Sequence, residues 1–164
     1  MTPKPTSKGG LASEALWPYA LEVYARPGVE PVLLRLQDEH DQCVPLLLWS
    51  LWMAGGGRPI DAAKATACAE LARAWQDAAV APLRRLRRGL KTRAKTEQLQ
   101  ARVRHGVKAL ELEAERMLLQ MLEESSPAAS GARMTAAEAL EQAACAWGGK
   151  APTGLLRELA ELAA

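Results

Sequence analysis

PLLLWSLWMA, residues 45–54, decides the fold of this chain. Pro45 suits the opening of a helix, because the N–H it lacks is one that a first turn leaves unpaired and its fixed φ is already helical. Gly55-Gly56-Gly57 closes the segment. Between them only Ser50 is polar, so the helix has no face to give to water. A short helix that is apolar all round is the buried centre of a helical bundle. The apolar run Val44–Ala54 is about half the length that a membrane crossing needs, so no transmembrane segment is expected.

Outward from this centre the chain alternates short helical patterns with turn residues. Towards the N-terminus, residues 1–12 read as a disordered lead and Ser13 as the cap of a first helix over about 14–26. Leu16, Ala20 and Val23 share its stripe; Pro18 is awkward in a helix that starts at 14, the alternative being that it marks the true first turn. Arg26-Pro27-Gly28 ends it. Pro31 suits the first turn of a second helix, about 30–38, with Val32, Leu33 and Leu36 inward, and the polar run Gln37–Gln42 breaks the pattern.

Towards the C-terminus, Asp61 caps a helix over about 62–80 whose stripe is Ala65, Cys68, Ala72, Trp75 and Ala79. Pro82 restarts or kinks the chain. Leu83, Leu86 and Leu90 then form one stripe, and Leu99, Val103, Gly106, Leu110, Ala114, Met117 and Met121 another. At roughly 100° per residue the two differ in phase by about 150°. One straight helix cannot bury both against the same neighbour, so a break, bend or change of packing partner is expected near Thr92–Thr96. Ser125–Arg133 is a small-residue linker. Thr135 with Glu138 matches a capping box and starts a helix to Trp147, ended by Gly148-Gly149. A last helix over about 154–163 offers Leu155, Leu156, Leu159 and Leu162.

These segments predict an all-α protein, a compact helical bundle of about five to seven helices with short loops. The expected organisation is a bundle domain over 13–124, a linker over 125–134 and a C-terminal helical pair over 135–164 docked on the bundle. Composition agrees: Phe is absent, Tyr occurs twice and Trp five times, so Leu, Ala and Val with a few Trp anchors must fill the core. Cys43, Cys68 and Cys145 form no CxxC pair and read as buried, reduced thiols. Met1–Gly10 lacks the apolar stretch of a signal peptide, and a cytoplasmic location is expected.

The net charge of +2 conceals an asymmetry, with −1 over residues 1–60, +8 over 61–108 and −5 over 109–164. A basic middle and an acidic end imply either an anionic partner or internal pairing of the two regions.

Three stretches, LWPYALEVYARPGVEPVLLRLQD (16–38), VPLLLWSLWMAGGG (44–57) and VAPLRRLRRGLK (80–91), resemble a family of uncharacterised bacterial proteins, a domain of unknown function. Order and spacing are similar over roughly residues 14–95. The resemblance implies a bacterial, intracellular, helical protein and supplies no activity. It also implies a Gly after the Leu-Gln-Asp turn, where this chain has Asp41.

The strongest candidate for function is a cationic helix face. Arg84, Arg88, Lys91, Lys95 and Arg102 fall within about 60° on a helical wheel, with Arg87 beside them. Such a row can neutralise phosphates or an acidic protein surface in a salt-sensitive way. The plainer reading is a solvated face, or one paired with Glu111, Glu113, Glu115, Glu123 and Glu124. With few aromatics nearby, base stacking is poorly supported. Arg26, Gln37, Asp38 and Arg58 form a second candidate, a polar pocket at one end of the first two helices. Trp49, Trp52 and Trp75 read as core anchors, or else as the wall of a ligand pocket.

Catalytic residues, a metal site and a cofactor are not expected. The Asp38–Asp41 cluster has no second ligand pair at zinc-finger spacing. Glu111 and Glu115 lack the Glu-x-x-His motifs of di-metal bundles. Gly55–Gly57 ends a helix and lacks the Gly-Lys-Ser/Thr of a phosphate loop. The function expected from sequence is therefore a small non-enzymatic interaction protein whose basic helix face, about 84–95, contacts an acidic protein surface or nucleic acid. The alternative is a helical small-ligand binder or enzyme with a pocket near the Trp-rich third helix. Self-association as a homodimer through the 99–121 stripe is a third expectation.

Overall fold

The computed structural model describes residues 15–93 and 98–164. The expected disordered lead, the Ser13 cap, Lys95 and most of the expected break at Thr92–Thr96 lie outside these residues. Among them the helices are α1 (Leu16–Tyr24), α2 (Val29–His40), α3 (Val44–Gly55), α4 (Ala62–Trp75), α5 (Ala81–Arg93), α6 (Gln98–Glu124), α7 (Ala136–Trp147) and α8 (Thr153–Leu162). A π-helical turn, Gln76–Val80, joins α4 to α5 without interruption. The all-α class is as the sequence implies, and no strand occurs among the described residues.

α3 is the centre. Its residues from Pro45 to Met53 are all buried, and it packs against α1, α6 and α7. Burying it wholly requires that its polar atoms be satisfied from within. The Ser50 hydroxyl donates to Leu47 O at 2.8 Å, and Trp49 Nε1 donates to Ser126 Oγ at 2.8 Å. That Ser126 hydroxyl donates in turn to Leu122 O at 2.7 Å, which ties the end of α6 to the core. α7 contributes Ala139, Leu140, Ala143 and Ala144 to the same core, and α8 contributes Leu155, Leu156 and Leu159. The segment after α6 is also anchored: Ser130 and Ala132 N–H groups both donate to Gly57 O.

Helix ends follow sequence chemistry where the signal is local. Asp61 accepts from Lys64 N–H at 2.7 Å, and Thr135 with Glu138 forms a reciprocal capping box. α1 begins at Leu16 with Pro18 in its first turn, and its first N–H is capped by a distant carboxylate, Glu123 Oε2, at 3.0 Å. α2 runs two residues beyond the expected end. It closes with Asp41 in the left-handed region at φ 50°, and the N–H groups of Asp41 and Gln42 both turn back to Leu36 O. Pro82 does not stop the chain. Its ring would crowd the carbonyl of residue 78 in a regular helix, and the π turn immediately before it opens the spacing there.

α6 departs from the sequence reading. Its inward residues are Val107, Glu111, Ala114, Leu118 and Leu122, while Val103, Leu110 and Met117 of the expected stripe are exposed. The inner face is rotated by about one residue because a charged side chain, Glu111, occupies it.

Candidate functional site

α5 and the first half of α6 form an arm beside the core. Among the described residues no side chain between 76 and 117 belongs to the central hydrophobic cluster, and none of residues 81–91 is buried. The sequence explains this directly: residues 81–93 hold six Arg or Lys and three Leu, too little apolar surface to bury a helix all round. α5 packs mainly against α6 and the π turn. Ion pairs from Arg84 and Arg87 to Glu111 require α5 and α6 to double back side by side.

Those pairs correct the expected basic face. Arg84, Arg87, Arg88 and Lys91 do not act as one solvated row, and Lys95 lies outside the described residues. Arg84 Nε donates to Glu111 Oε1 at 3.1 Å and its Nη2 to Glu115 Oε1 at 3.0 Å. Arg87 holds both oxygens of Glu111, Nε on Oε2 and Nη2 on Oε1 at 3.3 Å. Arg88 reaches across to Asp38 Oδ1 at 2.9 Å in an exposed pair, and Lys91 is exposed. Among the described side chains the outward cations of the arm are thus Arg85, Arg88, Lys91 and Arg102, while Lys108 is exposed on the cleft side.

The carboxylates of the cluster behave differently. Burial pushes Glu111 up, but hydrogen bonds from Arg87 and Arg84 outweigh it and hold the group below the usual carboxylate range. At Glu115 burial wins over the single Arg84 contact, helped by repulsion from Glu111, and the group titrates above the usual range. Arg87 is held more firmly protonated by its bond to Glu111.

This cluster faces a cleft of about 740 Å³ between α1, α2, the start of α3 and the arm. Trp17, Leu21, Leu34, Leu48, Leu112 and Leu119 supply its apolar walls, and Lys108 and His105 stand on its α6 side. Tyr24 also lines it, its phenol pushed up first by burial and then by Glu30 and Glu115. Nearby Cys43 offers no nucleophile, since burial pushes its thiol to about 11 against the Gln76 amide contact on its sulfur. Cys68 is likewise raised by burial, whereas Cys145, expected to be buried, is exposed.

The second expected pocket is not assembled. Arg26 donates to the carbonyls of Ala163 and Ala164, Gln37 contacts Asp38, Asp38 pairs with Arg88, and Arg58 stacks over the Trp52 ring at 3.8 Å. Of these four, Gln37 lines the cleft. The tryptophans of α3 are core anchors, and the cleft meets α3 only at Val44, Pro45 and Leu48. Sequence reasoning missed Trp17 as the cleft tryptophan, although Trp17, Ala20, Leu21 and Tyr24 recur at helical spacing beside the α1 core stripe and together line the cleft. Among the described residues no group of three or more His, Cys, Asp or Glu could hold a metal ion, and no helix is long and apolar enough to cross a membrane.

Compared with known proteins, residues 15–122 match a family described as a protein of unknown function (DUF2390). The match runs through α6, further than the resemblance legible in the sequence. No curated protein and no solved structure matches the chain.

Proposed function

The chain belongs to that family, whose description assigns no activity, and we propose from its own geometry that it is a non-enzymatic interaction protein whose α5–α6 arm docks on an acidic protein surface. One observation carries the reading. Leu86, Val103 and Leu110 are 51%, 50% and 58% exposed on an arm whose residues 81–93 and 98–110 carry no Asp or Glu. Apolar side chains left in water between cations mark a contact surface. Phosphates alone would need only the charge, and bases would need aromatic platforms, so the interleaved leucines favour a protein over nucleic acid. A bacterial source and a cytoplasmic setting accompany this reading, supported by the sequence resemblance.

The test is partner capture with wild type and two variants, Arg85→Glu/Arg88→Glu/Lys91→Glu and Leu86→Ser/Leu110→Ser, with and without nuclease. The reading requires the same partner to be lost in both variants and to resist nuclease. Capture that survives both variants overturns it, and nuclease-sensitive capture replaces the protein partner with nucleic acid. A second copy of the chain is the competing occupant, because Val103, Leu110 and Met117 recur every seven residues along α6 and are all exposed. Light scattering across concentration separates the two.

A further inference from the structure

The cleft beneath the arm is independent of the arm's outer surface, and its lining points to a ligand. The chain leaves seven large apolar side chains exposed among the described residues, and three of them, Leu21, Leu34 and Leu112, are walls of this cleft. They come from three different helices, α1, α2 and α6, and face one space. Trp17 stands among them with its indole under the Arg116 guanidinium at 5.3 Å. A cleft of about 740 Å³ lies within the range of small-molecule sites, roughly 300–1,000 Å³. Filling it would remove apolar surface from water on every wall at once.

The polar end is fixed by the Arg84–Arg87–Glu111–Glu115 cluster. A guanidinium carries five N–H donors. Arg84 spends two on Glu111 and Glu115, and Arg87 spends two on Glu111, so donors remain on both. Lys108 adds an ammonium on the same lining, and the neighbouring outward cations of the arm bias the local field towards anions. Glu111 is already held by two arginines and Glu115 by one, which leaves an incoming amine little unshared negative charge. The planar fork of an arginine matches a carboxylate.

We propose that this cleft binds a small amphipathic carboxylate, its head on Arg84, Arg87 and Lys108 and its apolar body against Trp17, Leu21, Leu34 and Leu112. The experiment is an NMR titration of the full chain with decanoate and with naphthalene-2-carboxylate, reading the Trp17 indole N–H, which Trp17→Phe assigns. Decylamine and decanol are the comparators. Leu112→Trp fills the cleft from a half-exposed position, Lys108→Glu reverses the head-group charge, and Leu110→Ala is the control on the same helix outside the lining. The expected result is a saturable shift with at least one of the carboxylates, weakened tenfold or more by Leu112→Trp and by Lys108→Glu and unchanged by Leu110→Ala. The proposal is overturned if neither carboxylate saturates, if decylamine or decanol binds as tightly, or if Leu112→Trp leaves binding intact.

Discussion

Replacing Glu111 by Gln tests the cluster that joins α5 to α6. Glutamine keeps the size of the side chain and one acceptor oxygen but removes the charge that two arginines share. Removing one partner of a buried pair costs about 3–5 kcal/mol when the remaining charge is fully enclosed. Here the Glu111 side chain is 9% exposed, but Arg84 and Arg87 keep 16% and 24%, so water can recover part of their solvation. The expected loss is therefore roughly 2–3 kcal/mol, below the fully enclosed figure. For a chain of this size each kcal/mol moves Tm by about 2–4 °C, which predicts a fall of about 4–12 °C. Urea unfolding followed by far-UV circular dichroism gives the free energy directly. The quadruple variant Glu111→Leu/Glu115→Gln/Arg84→Met/Arg87→Met should restore most of the loss, since replacing all four groups leaves no unpaired charge in the cluster. A change below about 0.5 kcal/mol in Glu111→Gln would refute the reasoning and make the cluster an ordinary solvent-screened surface network.

Further outcomes follow from other sites. Glu115 is raised by burial, so the fold binds its proton before the unfolded chain does; its contribution to stability is present at low pH and lost as pH rises through the folded value. Glu115→Gln should then gain stability relative to wild type at pH 8, with the gain shrinking towards pH 4, in melting curves taken across that range; a gain that grows at low pH contradicts this. Glu111, held low, contributes in the opposite sense, its stabilisation fading only as pH falls through and below the usual carboxylate range. Asp41→Gly should stabilise by about 0.5 kcal/mol, because glycine escapes the left-handed penalty of roughly 1–2 kcal/mol but loses about 0.5–1 kcal/mol of chain entropy; Asp41→Val should lower Tm. Thr135→Ala should cost about 1 kcal/mol through loss of the α7 capping box, read by the same urea assay.

The fold was legible where one residue's chemistry acts locally. α3 announces itself because ten consecutive residues contain a single polar side chain, and the Asp61 and Thr135 caps act over three residues. Asp41 occupies a left-handed position where the sequence resemblance implies glycine, and the left-handed closure of α2 gives that glycine its physical reason. α6 was misread because apolar spacing alone was followed. Leu110 and Met117 fit a 3.6-residue stripe as well as Leu118 and Leu122 do, and only the demand of two arginines for one carboxylate turns Glu111 inward. The pairing of the basic stretch with later glutamates was readable as an alternative; its choice of Arg84 and Arg87 was not. The cleft was invisible for a different reason. Its walls come from α1, α2, α3, α5 and α6, and no local pattern encodes a space between five separated segments.

The central claim is that the outward face of the α5–α6 arm contacts a protein. It is tested most directly by placing a photo-crosslinking amino acid at Leu86 or Leu110 of the full chain in cells, with Glu70 and Arg157 as exposed controls on α4 and α8. The account predicts a discrete protein adduct from the two arm positions, absent from the controls and lost when Arg85, Arg88 and Lys91 are changed to Glu. The same adducts from arm and control positions, or an arm adduct indifferent to the charge reversal, would contradict it.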